Sequence, residues 1–248
     1  MIERPLRIVF VAALSCLAVV VSSTGTAADD ETGWWPQFRG AHARGVADGA
    51  PLPDSWNAET GEGIAWKTAI PGLGHSSPVI WGDRLFVTTA ISEKDKAGIR
   101  TGLYGDIDPV EDDSTHRFVV YCLDRNTGEV LWSKIAVETE PKVKRHTKST
   151  HANPTPATDG THVVVSFGSE GLYAFDFDGK LVWKKDLGVL DSGFFRVPDA
   201  QWGFASSPII HDGRVIVQAD VQTGSFLAAF DVETGEELWR AARGDVPT

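Results

Sequence analysis

The hydrophobic pattern of this chain is a short-period one. Apolar residues cluster in runs of four to eight, and no stretch holds a 3.6-residue period over 12 residues. Three segments share one layout: YCLDRNTGEVLW at 121–132, YAFDFDGKLVW at 173–183 and AAFDVETGEELW at 228–239. Each reads as an apolar strand ending at Asp, a turn, and a second strand carrying Trp. Gly128, Gly179 and Gly235 sit where the turn calls for positive φ. The Asp178-Gly179 pair predicts a two-residue type I′ turn. The other two copies predict three-residue loops, 126–128 and 233–235, with Gly in the left-handed position.

A second pattern precedes each hairpin. His75-Ser76-Ser77-Pro78 leads into a Gly82-Asp83 turn and the strand 84–88. His151-Ala152-Asn153-Pro154 leads into Asp159-Gly160 and the strand 162–166. Ala205-Ser206-Ser207-Pro208 leads into Asp212-Gly213 and the strand 214–218. Proline suits a strand start, where its missing N–H costs little. Together the two patterns give four strands per unit. Four-stranded units of about 50 residues with periodic Trp and Gly predict an all-β chain, a β-propeller. The units span about 75–137, 151–187 and 205–243. Residues 64–70, with Trp66, match only the last strand of a unit and form an orphan strand.

The amino terminus reads differently. Arg4 and Arg7 precede an apolar run from Ile8 to Val21, then a small-residue stretch to Ala28 and the acidic pair Asp29-Asp30. This is the layout of a cleavable secretory signal over 1–28. The run is shorter than the roughly 20 residues of a membrane span, so no transmembrane helix is expected after cleavage. Cys16 lacks the Leu three residues upstream that a lipidation signal carries. Residues 29–63 are expected to be an N-terminal extension, and 64–248 a partial propeller. The implied location is the periplasm or the extracellular space. Cys122 is then the only mature cysteine; it lies in an apolar strand, so a buried inert thiol is expected.

Charge narrows the function. Lys+Arg 23 against Asp+Glu 34 gives a net charge of −11, which argues against nucleic acid as a partner. An apolar fraction of 42% excludes a disordered chain.

The D-x-x-T-G-x-x-x-W copies at 124–132 and 231–239 resemble the repeat of pyrroloquinoline-quinone (PQQ) propellers. WPQFRG at 35–40, LPDSW at 52–56, GHSSP at 74–78, HANPTP at 151–156 and WGFASSP at 202–208 are similar to bacterial secreted PQQ-binding-like β-propeller repeat proteins. The resemblance covers nearly all of 34–243. Members of that family usually carry several more blades. Closed propellers need about four or more, so three units and an orphan strand are expected to be the N-terminal part of a longer protein. The outer-membrane assembly propeller lipoprotein is the nearest functional analogue the resemblance implies. Quinoprotein dehydrogenases are the other, and they carry adjacent cysteines plus a Glu/Asn/Asp calcium cage. With Cys122 alone, that cysteine pair is missing.

Three groups are candidates for chemistry. His75 and His151, read as equivalent positions three residues before a strand-opening Pro, belong on one rim, joined by Trp202 and Phe204 as a stacking platform for a ligand or partner. Such histidines suit a metal or an anion, although Ala205 breaks the ring, and no metal site is expected. The acidic insertion at 91–116, with Asp106, Asp108, Glu111, Asp112 and Asp113, lacks calcium-loop spacing and reads as a solvated loop. Lys142, Lys144, Arg145, His146 and Lys148 form a basic cluster suited to phosphate, sulfate or acidic polysaccharide. No nucleophile elbow, phosphate loop or metalloprotease helix occurs. The reading is therefore a secreted, non-enzymatic propeller that scaffolds or binds a protein or polysaccharide without a cofactor. A partial PQQ- and calcium-dependent alcohol or sugar dehydrogenase is the alternative. A carbohydrate-binding module centred on Trp202 is a third reading.

Overall fold

The structure is a computed structural model that describes residues 34–49, 52–94, 98–100, 109–194 and 197–245. The secretory-signal expectation for 1–28, and Asp106 and Asp108, lie outside these residues. Fourteen strands are present among the described residues. The first unit is β1 (Val79–Trp81), β2 (Arg84–Ser92), β3 (His116–Asp124) and β4 (Val130–Thr139). The second is β5 (Ala157–Thr158), β6 (His162–Ser166), β7 (Leu172–Asp176) and β8 (Leu181–Lys185). A short pair, β9 (Gly193–Phe194) and β10 (Val197–Gln201), precedes the third unit. That unit is β11 (Ile209–His211), β12 (Arg214–Ala219), β13 (Phe226–Asp231) and β14 (Glu237–Ala242). Each unit is a four-stranded antiparallel meander with strands in chain order. These are propeller blades, three of them, and they do not close a ring. The first strands of the units adjoin one another, β1 beside β5 and β5 beside β11.

The period-2 rule explains how one sheet serves two interfaces. In the second unit, Val163, Val165, Tyr173 and Phe175 pack with Phe86, Phe118, Val120 and Cys122 of the first. The intervening Val164, Leu172 and Ala174 pack with Val215, Val217, Ala228 and Phe230 of the third. A central blade is covered on both faces, so its inner strands are apolar throughout. Cys122 is a free thiol, fully buried, and burial pushes its pKa up against the weaker pull of Arg84.

A Trp-to-turn contact links each unit to the next. The Trp66 indole N–H donates to the Arg125 carbonyl at 2.9 Å, Trp132 to Phe177 at 2.9 Å, and Trp183 to Val232 at 2.7 Å. Each acceptor is the residue after the turn Asp. The turn glycine presses on the same ring. A Cβ added at Gly235 would lie 2.6 Å from Trp183 Cδ2, and Gly128 and Gly179 meet Trp66 and Trp132 in the same way. Glycine is required there twice over, by φ of 75°, 79° and 69° at 128, 179 and 235 and by the indole itself. Among the described residues, 64–70 pair with no strand. Their Trp66 nonetheless docks on the first unit as Trp132 and Trp183 dock on the later ones.

The turns differ from expectation. Gly128 and Gly235 donate to the carbonyls of Asp124 and Asp231, four residues back, so these loops hold four residues rather than three. Thr127 and Thr234 each donate both N–H and O–H to the turn Asp, which accommodates the longer loop and holds both carboxyls below their usual range. The 176–179 turn is not type I′, because Asp178 has no positive φ; Gly179 donates to Asp176 three residues back, and a bulge follows. The two central positive φ values expected of type I′ occur at Asp212 (47°) and Gly213 (69°).

The segment opening the described chain is woven into all three units. Trp35 exchanges two 2.9 Å hydrogen bonds with Ile80 of β1, and Trp34 stacks on Trp81 with centroids 4.4 Å apart. Pro36 accepts from Thr158 of β5 at 2.8 Å. Gln37 Oε1 accepts from Ile210 of β11 at 3.4 Å. This strap covers inner strand edges that would otherwise present unpaired backbone.

Candidate functional site

The meander sets two ends apart. The β1–β2 and β3–β4 turns share one end, where the Arg125 N–H reaches Asp83 and the Val232 N–H reaches Gly213. The segments that open each unit reach the other end, and there they surround a cleft of about 700 Å³. His75 and Ser77 come from the first unit, Asn153 and Thr155 from the second, and Ala205, Ser206 and Ser207 from the third. Phe38 and Ala43 of the strap region, and His146, Lys148, Ser149 and Trp202, complete most of the wall.

Strand starts reveal the true correspondence between units. Val79, Ala157 and Ile209 each follow a proline, namely Pro78, Pro156 and Pro208. The position three before that proline is His75, Asn153 and Ala205. His151 is therefore offset by two residues from His75, because Pro156 rather than Pro154 opens β5. The sequence carries the signal for Asn153 in its second proline. A repeated hydrogen bond confirms the alignment: the Ser77 N–H donates to Thr155 Oγ1 at 3.1 Å, and the Thr155 N–H donates to Ser207 Oγ at 2.9 Å. These three residues directly precede the three prolines.

Asn153 works as a brace. Its Oδ1 accepts from Thr150 N–H and O–H, and its Nδ2 donates to Ser149 Oγ and the Phe204 carbonyl. His75 is exposed, with its backbone N–H held by the Ala152 carbonyl at 3.0 Å. His151 does not line the cleft; it packs edge-on against His116, centroids 5.2 Å apart, and against Phe118. Burial, then His116 and Arg145, push its pKa down to about 3. Behind it lies Asp112. Burial works to raise this carboxyl, but hydrogen bonds from Ser114 and Ser92 outweigh it and hold the pKa at about 2.

The two expected aromatics part company. Trp202 is 42% exposed at the cleft, and its ring rests on His146, which is 3% exposed, with centroids 4.8 Å apart. Gly203 follows at φ 85°, where a Cβ would lie 2.8 Å from Ser149 Oγ, so the chain passes close beneath the wall. Phe204 then turns inward and is buried in the core between the second and third units. It is not part of a rim platform.

The basic cluster also disperses. Lys142 pairs with Asp186 at 3.1 Å, and Lys144 with Glu111 at 2.6 Å. Arg145 is buried, donates to the Ser149 and His146 carbonyls, and has its pKa lowered by desolvation. Of these residues only His146 and Lys148 line the cleft, and Lys148 N–H donates to His146 Nδ1 at 3.1 Å. A contiguous anion patch over 142–148 is therefore absent. The described carboxylates of the insertion diverge likewise: Glu111 to Lys144, Asp112 to Ser92 and Ser114, Asp113 to Lys94. Among the described residues no three His, Cys, Asp or Glu side chains converge as a metal site, and no helix is long and apolar enough to cross a membrane.

Solved structures with the same repeat resemble this chain at low identity. Quinohemoprotein alcohol dehydrogenase ADHIIG from Pseudomonas putida HK5 is 19% identical, with a TM-score of 0.39, covering 71% of this chain and 22% of its own. The quinohemoprotein alcohol dehydrogenase of Comamonas testosteroni is 21% identical, with a TM-score of 0.33, over 64% of this chain and 23% of its own. BamB from Moraxella catarrhalis is 16% identical, with a TM-score of 0.38, over 71% of this chain and 54% of its own. The chain thus spans between about a fifth and about half of the proteins it matches. No curated protein sequence matches it. A family model described as outer membrane protein assembly factor BamB matches residues 116–248. With its PQQ-type repeats and four-stranded blades, the chain belongs to that propeller family.

Proposed function

We propose that this propeller is a non-catalytic interaction module of the periplasm or cell surface, docking its partner at the cleft end. The observation that carries this reading is the cleft itself. Loops from three blades and the strap region form it, and its polar groups are largely spent on rigidity. Thr155 and Ser207 accept backbone N–H groups from the neighbouring unit, and Asn153 is fully engaged as a brace. Rigid loops on a scaffold are suited to recognition. The description of the family by an assembly factor supports a protein-binding role.

The quinone alternative fits these residues poorly. Calcium takes hard oxygen ligands, carboxylates foremost, and none of the described residues lining the cleft is Asp or Glu. The Cys122 thiol lies in the core between two blades, away from the cleft. Titrating the purified full chain with PQQ and calcium tests the point. The expected result is no change in quinone absorbance and no dye-linked oxidation of alcohols or sugars. Stoichiometric quinone binding with turnover would overturn the proposal.

A further inference from the structure

The Trp-to-turn contact has two unmatched halves, one at each end of the blade series. The acceptor half is in the segment before the first unit. Asn57-Ala58-Glu59-Thr60-Gly61-Glu62 repeats the layout of 124–129 and 231–236, with Asn in place of the turn Asp. It also repeats their bonds. The Asn57 N–H donates to the Glu62 carbonyl at 2.8 Å, and the Gly61 N–H donates back to the Asn57 carbonyl at 2.9 Å. Asn57 Oδ1 accepts from the Glu59 and Thr60 N–H groups, as Asp124 Oδ1 accepts from Asn126 and Thr127. Residues 57–70 are therefore the turn and outer segment of a further blade position, the one whose Trp66 docks on the first unit.

In the other three copies an indole lies against the turn glycine and bonds to the carbonyl after the turn Asp. Gly61 has the same positive φ, 82°, but beyond its chain neighbours no described atom lies within 4 Å of a Cβ built there. The corresponding carbonyl, that of Ala58, accepts from the exposed Lys67 amine, and a carbonyl oxygen has a second acceptor site. The donor half is Trp239. It stands opposite Ala229 on β13, as Trp183 stands opposite Ala174, which packs toward the third unit. By the same register Trp239 faces away from the second unit. All six residues of β14 are exposed, and the Trp239 indole N–H has no partner among the described residues. A bare outer strand carrying an exposed Trp is a surface that invites cover.

We infer that a second copy of this chain covers it: Trp239 of one copy docks on the 57–62 turn of the next, its indole against Gly61 and its N–H on the Ala58 carbonyl. The chain supplies both halves, so the contact needs no other component. The contact is head-to-tail, and such contacts either close into a ring or run on as a filament. At three blades and one outer hairpin per copy, two copies fill about eight positions, within the roughly four to eight blades of closed propellers. The closed form is a dimer. It leaves the cleft end of each copy free, so the inference goes beyond the interaction reading and stands apart from it.

Sedimentation equilibrium of the full chain tests this. The chain is expected to be dimeric at about 100 μM. Trp239→Ala and Gly61→Asn are each expected to raise the dimer dissociation constant about tenfold or more. Asparagine tolerates positive φ and so keeps the turn, while its side chain fills the space the indole would take. An equimolar mixture of the two variants is expected to dimerise more tightly than either alone, because one keeps Gly61 and the other keeps Trp239. Trp202→Ala, at the cleft, is expected to leave the dimer unchanged. A monomer or an open polymer at about 100 μM, unchanged affinity in Trp239→Ala or Gly61→Asn, or a mixture no tighter than its components would each overturn the inference.

Discussion

The neutral His151 shows how position, not residue type, decides chemistry in this molecule. A histidine at the start of a blade suggests a ligand, but two residues of offset place this one against His116, Phe118 and the Arg145–Asp112 neighbourhood instead of the cleft. The offset was hidden because Pro154 and Pro156 both suit a strand start, and only the ladder shows which one precedes β5. Phe204 departs from the rim for a similar reason: the two aromatics of the WGF run part, one exposed and one buried, once Gly203 turns the chain. The buried state of His151 has a pH consequence. Its folded pKa of about 3 lies below the ordinary value of 6.5. The unfolded chain therefore binds the extra proton as pH falls below 6.5, and folding is progressively penalised down to about 3. Between pH 7 and pH 4, urea unfolding is expected to show a loss of roughly 1–3 kcal/mol from this group. His151→Gln is expected to reduce that pH dependence while retaining the stability of the protein at pH 7 to within about 1 kcal/mol.

At the scale of elements, the hairpins were legible because strand, turn and Trp recur in register. The recurring apolar run that ends at Asp placed β3, β7 and β13, and the Asp and Gly positions marked the turn ends even though the observed 124–129 and 231–236 loops hold one residue more than expected. What sequence did not reveal was the destination of each Trp. That depends on the neighbouring blade, some 45–60 residues away, where the indole N–H finds the carbonyl after the turn Asp. The contact makes the four tryptophans unequal. Trp183 is buried between the second and third units and hydrogen-bonded, whereas Trp239 is 42% exposed on β14. Trp183→Ala is expected to cost about 3–5 kcal/mol and Trp239→Ala less than about 1 kcal/mol. Denaturant unfolding of the two variants checks the contrast; equal losses would show that the Trp-to-turn contact does not join the blades.

Across the whole molecule, the described residues form two distinct ends. One carries the tight turns and the Trp contacts that set blade against blade. The other gathers the loops before β1, β5 and β11 around the cleft, with the strap from Trp35 to Gln37 tying the inner edges of all three units. The strap's role was not readable from WPQFRG as a string, since a lone extended segment shows no periodicity, and its partners lie in three separate blades. The cleft is partly legible in the sequence: the unit-opening motifs mark Trp202 and His75, while the roles of Asn153, Thr155 and Ser207 depend on bonds between blades. The central claim is that the cleft end, not the turn end, meets the partner. Photo-crosslinking in the producing cell tests it most directly, with a benzophenone side chain at Ser206 in the cleft wall or at Glu233 on an exposed turn. A specific crosslinked species from Ser206 and none from Glu233 is the predicted result; a specific species from Glu233 alone would contradict it.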